Sequence, residues 1–183
     1  MKENANKRCQ SNVAKELKTD RATISCLIAD LSAKDGGVRE RAREALVSMG
    51  RLAVAPLIEA LESPMEQVRW EAAKALGQIG DPSAAKAFIR ALEDEDFDVR
   101  WLAAEGLIAL GHNAFVPLFQ TLIERSDSVW LRQGAHHVLN DLRGKQPEEI
   151  LRPVLAALEH VEPAVEVPLA AQRALDILQE SGD

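Results

Sequence analysis

A pattern of residues that returns about every 31 positions constrains this chain more than any other feature, because such a period marks stacked supersecondary units. Val68-Arg69-Trp70-Glu71-Ala72-Ala73-Lys74-Ala75-Leu76-Gly77-Gln78-Ile79-Gly80 aligns with Val99-Arg100-Trp101-Leu102-Ala103-Ala104-Glu105-Gly106-Leu107-Ile108-Ala109-Leu110-Gly111 at a shift of 31. The frame continues upstream in Val38-Arg39-Glu40-Arg41-Ala42-Arg43-Glu44-Ala45-Leu46, at a shift of 30. Downstream it continues in Leu131-Arg132-Gln133-Gly134-Ala135-His136-His137-Val138-Leu139, at a shift of 32. Ala171 to Leu178 forms a weaker fifth copy.

Each copy follows a second, shorter apolar stretch: Leu27 to Leu31, Leu57 to Leu61, Phe88 to Leu92, Leu118 to Leu122 and Val154 to Leu158. Apolar residues at i, i+1 and i+4 form one helical face. Pro56, Pro117 and Pro153 stand one residue before three of these stretches and are expected in first helical turns, where the missing N–H is harmless. Gly50, Gly80 and Gly111 are expected to close second helices, and Asp81-Pro82 to force a turn. The unit is helix, turn, helix, turn, with approximate boundaries 20–50, 51–81, 82–112, 113–145 and 146–180. One pair cannot bury its own apolar face. The expected fold is therefore all-α, a right-handed α/α superhelix of about five helix pairs over 19–183, with the polar segment 1–18 as a tail or capping helix.

Composition supports this choice. The chain holds 28 Ala and 23 Leu, while aromatic residues make up only 4% and tyrosine is absent, which argues against a sandwich or barrel. The formal charge of −7 is unevenly spread. Residues 1–51 carry 11 Lys/Arg against 7 Asp/Glu, and residues 52–183 carry 11 against 22. An acidic array disfavours nucleic acid and anionic membrane as partners. Two cysteines, Cys9 and Cys26, are too few for a disulfide framework, and no 18-residue uninterrupted apolar run or export signal is visible, so the expected location is cytoplasmic.

The recurring D-x-x-V-R-x-x-A-A-x-A-L-x-x-I-G pattern, read in Asp96 to Gly111 and Glu66 to Gly80, resembles the short HEAT-like repeat of the phycobilisome-lyase type. The resemblance covers roughly 160 of the 183 residues. It implies a solenoid whose second helices line a concave groove. It does not imply one activity, since such repeats occur in scaffolds, lyase subunits, a hydroxylase and DNA glycosylases. A di-iron hydroxylase of this kind carries His-Glu dipeptides, which this chain lacks, and a glycosylase needs a basic groove.

On a helical wheel, Val68, Ala72, Ala75, Leu76 and Ile79 share the core sector, leaving Trp70, Ala73, Lys74 and Gly77 facing away. With the implied groove, the outward stripe continues through Trp101, Ala104, Glu105 and Ile108, then Gln133, His136, His137 and Asn140. Trp70 and Trp101 share one repeat position and are expected about 10 Å apart, one helix spacing. They suit partner anchoring, but packing between repeats is the preferred reading. Candidate partner-binding residues are thus Trp70, Lys74, Trp101, Glu105, Ile108, Gln133, His136, His137 and Asn140.

Arg39, Arg69, Arg100 and Arg132 recur behind Asp35, Glu66, Asp96 and Asp127. A ladder of guanidinium forks would take phosphate or carboxylate groups; the preferred reading is a structural ladder in which each arginine bridges to the acidic turn of a neighbouring repeat. Glu93-Asp94-Glu95-Asp96 reads as a solvated turn, since it lacks the alternating ligands and Gly of a calcium loop. His136-His137 beside Asn140 and Glu105 invites a metal, but adjacent residues diverge by 100° around a helix, so a polar, pH-sensitive contact surface is expected instead.

No phosphate-binding Gly loop, metalloprotease motif or nucleophile elbow occurs. The expected function is a non-enzymatic scaffold or adaptor taking a protein partner in the groove, without cofactor or metal, as a monomer or a weakly self-associating chain. The alternative that the resemblance implies is a subunit or chaperone-like partner of a bilin lyase or other enzyme. A nucleic-acid-binding protein ranks below it.

Overall fold

The computed structural model describes residues 21–145 and 147–180, whose regular elements are all helices. The expectation for 1–18 lies outside the described residues. In chain order the helices are α1 (21–30), α2 (Gly36–Met49), α3 (Arg51–Ala60), α4 (Glu66–Ile79), α5 (Ala85–Ala91), α6 (Phe97–Leu110), α7 (Phe115–Glu124), α8 (Val129–Asp141), α9 (Glu148–Leu158) and α10 (Pro163–Glu180). Short 3₁₀ turns, Pro82–Ala84 and Gly111–Ala114, lead into α5 and α7.

Local chemistry sets the boundaries. Asp35, Asp96 and Ser128 cap α2, α6 and α8 by accepting bonds from first-turn N–H groups. Gly50, Gly80 and Gly111 follow α2, α4 and α6 with φ of 57°, 68° and 59°, values that a side chain would strain. Asp81 caps the first 3₁₀ turn, accepting from the Ser83 N–H at 2.9 Å and the Ser83 hydroxyl at 2.6 Å.

The prolines require a correction. Pro117 lies in the first turn of α7, but Pro56 and Pro153 lie inside α3 and α9. The Gly50 turn is so tight that Arg51 already begins α3, five residues before the proline. The carbonyls freed by the two rings belong to Leu52 and Glu149, both exposed residues. Pro168 inside α10 is answered differently, because Ser126 Oγ donates at 2.9 Å to Ala164 O, the carbonyl that residue 168 would otherwise have bonded.

The second helices stack in one layer, α2 on α4, α4 on α6 and α6 on α8, and α5 and α7 pair in the other layer. Their seam holds Leu46, Leu57, Leu76, Phe88, Leu107, Phe115, Leu118, Phe119 and Leu139, all essentially without solvent exposure. Ala73 and Gly77, expected to face outward, instead lie at the α4–α6 junction: Ala73 is buried, and a β-carbon on Gly77 would sit 3.8 Å from Gly106 Cα. A helix flanked on both sides by neighbours has a wider buried arc than a helix lying on a single face. Gly106 is also obligatory for space, since a β-carbon there would lie 2.5 Å from the Phe88 ring. Repeat two has Leu57 and Ala75 at the same two positions, so repeat three exchanges a larger first-helix residue for a smaller second-helix one.

The final pair departs from the expected register. α10 packs mainly on α9 and α7, while α9 lies against α8, so the first helix of this pair extends the layer of second helices. The connection between α8 and α9 runs through Gly144 at φ 77° and is longer than the single-residue turn at Gly50, which frees the pair to swing. Small residues Ala170, Ala171 and Ala174 are buried along α10.

The apolar segment Phe97–Glu124 has an 18-residue window of mean hydropathy 1.3, long and apolar enough by composition to cross a membrane. The chain turns at Gly111, however, giving helices of 14 and 10 residues, each short of the about 20 needed to span a bilayer.

Two outcomes are expected. Ser126→Ala should cost about 1 kcal/mol in urea denaturation, and clearly less in a Pro168→Ala background, where the restored N–H satisfies Ala164 O. An equal cost in both backgrounds would contradict the pairing. The Ser83 hydroxyl and N–H hold the Asp81 carboxylate below its usual pKa range, with Arg51 adding to the effect. A depressed folded-state pKa stabilises above the unfolded value of about 4 and is lost as pH falls through the folded one. Asp81→Ala should therefore cost about 1 kcal/mol at pH 7, and denaturation midpoints of wild type and variant should converge toward pH 3.

Candidate functional site

The ladder arginines share one local bond. Each places Nη1 on the carbonyl six residues earlier: Arg39 on Ala33 (2.8 Å), Arg69 on Ser63 (3.0 Å), Arg100 on Asp94 (2.6 Å), and Arg132 on Ser126. The side chain thereby ties its helix to the loop that precedes it. What differs is the partner across the next repeat junction.

At the first junction, Arg39 Nε lies 3.2 Å from Glu71 Oε1 and Arg43 Nη1 2.7 Å from Glu71 Oε2. Glu71 and Arg43 are buried, and Arg43 Nε has no hydrogen-bond partner. At the second, Arg69 grips Asp94 with Nε at 2.8 Å and Nη2 at 2.9 Å, and reaches Glu95 at 3.2 Å. The Asp94 bonds raise the Arg69 pKa further above its already high value. At the third, no described carboxylate pairs with Arg100, whose guanidinium instead lies 4.7 Å from the Trp130 ring and 5.7 Å from that of Phe97. The contact shown for Arg132 stays within its own loop.

The acidic residues preceding the arginines are not their partners. Asp35 and Asp96 are helix caps, because a carboxylate just before a first turn meets free N–H groups. The turn Glu93 to Asp96 is likewise more than a solvated run: Glu93 pairs with Arg125 at 2.6 Å and accepts from Ser128, Asp94 and Glu95 take Arg69, and Asp96 caps α6. Glu71 was hidden in the sequence, since Leu102 and Gly134 occupy its position in later repeats.

These differences split the stripe of outward residues. Trp70 is half-buried against the core, with Lys74 Nζ 4.7 Å above its ring, and both line a polar pocket of about 480 Å³ with Arg39, Glu40 and Glu66. Trp101 is 48% exposed and packs against His137 in a tilted arrangement, with ring centroids 4.8 Å apart. It lines a separate pocket of about 340 Å³ between α6 and α8 with Phe97, Arg100, Trp130, Gln133 and His137, floored by Leu92, Ala104 and Gly134. Gly134 opens the floor, as a β-carbon there would sit 2.7 Å from Leu92.

Trp70 and Trp101 therefore share a repeat position but not an environment, and Trp130, from a different position, joins Trp101. Ile108 packs partly buried against the core, and Asn140 is exposed outside both pockets. His136 and His137 turn to different carboxylates, Glu159 at 2.9 Å and Glu105 at 3.4 Å. Among the described residues no three His, Cys, Asp or Glu side chains are grouped to hold a metal ion.

Helix pairs stacked in two layers with a recurrent arginine define an α-solenoid, and comparison with known proteins gives it its class. Residues 54–140 match the family of HEAT repeats, and the fold is that of a HEAT-repeat solenoid. Among solved structures it is similar to a chain in the complex of CpcE and CpcF of phycocyanin lyase from Nostoc sp. PCC7120, with 24% identity and a TM-score of 0.55 over 84% of this chain and 98% of that one. No curated protein matches the sequence.

Removing Glu71 should unmask the buried charges of the first junction. Glu71→Ala should lower stability by about 3 kcal/mol in urea denaturation, whereas replacing Arg43 and Glu71 together by Met and Leu should restore most of the loss. A cost under about 1 kcal/mol for Glu71→Ala would show the pair to be solvated.

Proposed function

We propose that this chain is a non-enzymatic interaction module of the cytoplasm that docks a protein partner in the α6–α8 pocket. One observation carries the reading. Phe97, Trp101 and Trp130, three of the seven aromatic residues, are between 45% and 63% exposed and converge on one pocket. Packing alone would have buried such rings, as it does Phe88, Phe115 and Phe119. Exposed aromatic clusters of this kind are where hot spots form. The similar CpcE and CpcF structure is itself a complex of two proteins, in keeping with partnership through this fold.

The same likeness supports a second reading, a lyase subunit. Mixing the purified protein with a bilin and its acceptor protein separates the two. The module reading expects no colour retained on the acceptor after denaturation; retained absorbance favours the lyase reading. For the docking site itself, affinity capture from native extract should recover the same partner with wild type and Trp70→Ala, and lose it with Trp101→Ala/Trp130→Ala. Undiminished capture by the double variant would remove the pocket from consideration.

A further inference from the structure

Among the described residues, the third repeat junction lacks an anion of the kind that the two before it possess. Arg39 is answered by Glu71 and Arg69 by Asp94, each a carboxylate from the following repeat. Counting forward from Asp94 by the 32-residue spacing of this junction reaches Ser126, whose hydroxyl is engaged with Ala164 O. Among the described residues, Arg100 thus keeps a guanidinium bonded only to the Asp94 and Glu95 carbonyls through Nη1 and flanked by the rings of Phe97 and Trp130. It stands at the rim of the apolar pocket, beside Gln133 and the indole N–H groups of Trp101 and Trp130, none of which has a hydrogen-bond partner among the described residues.

We propose that a partner protein supplies the missing carboxylate: an Asp or Glu side chain takes Arg100 as Asp94 takes Arg69, and an adjacent aromatic or aliphatic residue fills the Trp101–Trp130 pocket. The inference rests on the docking reading above and names the chemistry that the site selects. A guanidinium presents a planar fork that a carboxylate matches with two parallel bonds, and the neighbouring rings hold that fork in place. The pocket volume of about 340 Å³ accommodates one large side chain. Glu105, 3.4 Å from the pocket residue His137, and Glu95, whose carbonyl bonds Arg100, are exposed, so the segment carries one acidic residue there rather than a run of them. Their repulsion of further negative charge makes the match specific.

Selection of a random twelve-residue peptide library displayed on phage, against the full-length protein, tests this directly. Wild type should enrich peptides with an aromatic or aliphatic residue next to one Asp or Glu. A synthetic winner should bind about tenfold more tightly than its Asp→Asn or Glu→Gln counterpart, and about as weakly as that counterpart when offered to Arg100→Gln. The comparison of acidic and amide peptides on wild type needs no variant, so an unstable Arg100→Gln protein leaves the test intact. Enrichment of apolar peptides indifferent to the acidic residue, or favouring a basic one, would overturn this inference and leave the docking site standing. No enrichment above the Trp101→Ala/Trp130→Ala protein would overturn both.

Discussion

Close approach of the second helices is the constraint on which the rest of this structure depends. α4 and α6 meet where Gly77 faces Gly106, flanked by buried Ala73, Ala75, Ala103 and Ala104. Small residues here bring the helices within reach of one another's polar side chains, and that proximity lets Arg39, Arg69 and Arg100 each contact the repeat that follows. Larger residues would widen the layer and separate those contacts. Within a pair the same economy of space recurs, since Leu57 and Ala75 of repeat two are exchanged for Phe88 and Gly106 of repeat three.

Along this even scaffold the chemistry of the junctions changes in steps. A buried Arg–Glu–Arg cluster gives way to a bidentate Arg–Asp pair, and then to an arginine stacked on an indole. In the first two, each arginine of the ladder meets a carboxylate of the following repeat. The third is open: its rings are exposed and no described carboxylate pairs with its cation. A solenoid can vary one junction without disturbing the others because each repeat contacts only its neighbours. The open junction between α6 and α8 thus stands beside earlier junctions whose ion pairs tie repeat to repeat.

The C-terminal pair ends the pattern by other means. α10 carries both Pro163 and Pro168, and the carbonyl that Pro168 cannot serve is taken by Ser126 from the loop between α7 and α8. That bond and the buried alanines of α10 accompany its placement on α7, with α9 turned toward α8. Glu159, just past α9, thereby reaches His136.

Periodicity alone determined the all-α architecture, the helix pairs and their capping glycines, because helix formation and turn chemistry are local and each repeat reports them again. It also marked Arg39, Arg69, Arg100 and Arg132 as a set and brought Trp101, Gln133 and His137 into view. Three features were settled only by tertiary structure. Glu71 was revealed as a buried partner because its burial depends on two arginines 28 and 32 residues away. Trp70 and Trp101, alike in the repeat, parted because Lys74 covers one and the tilted His137 ring packs against the other. The exchange of α9 and α10 depends on packing against α7, which the repeat pattern of Ala171 to Leu178 does not encode. A repeated sequence specifies the unit and its register; the surroundings of each copy are set by the copies beside it.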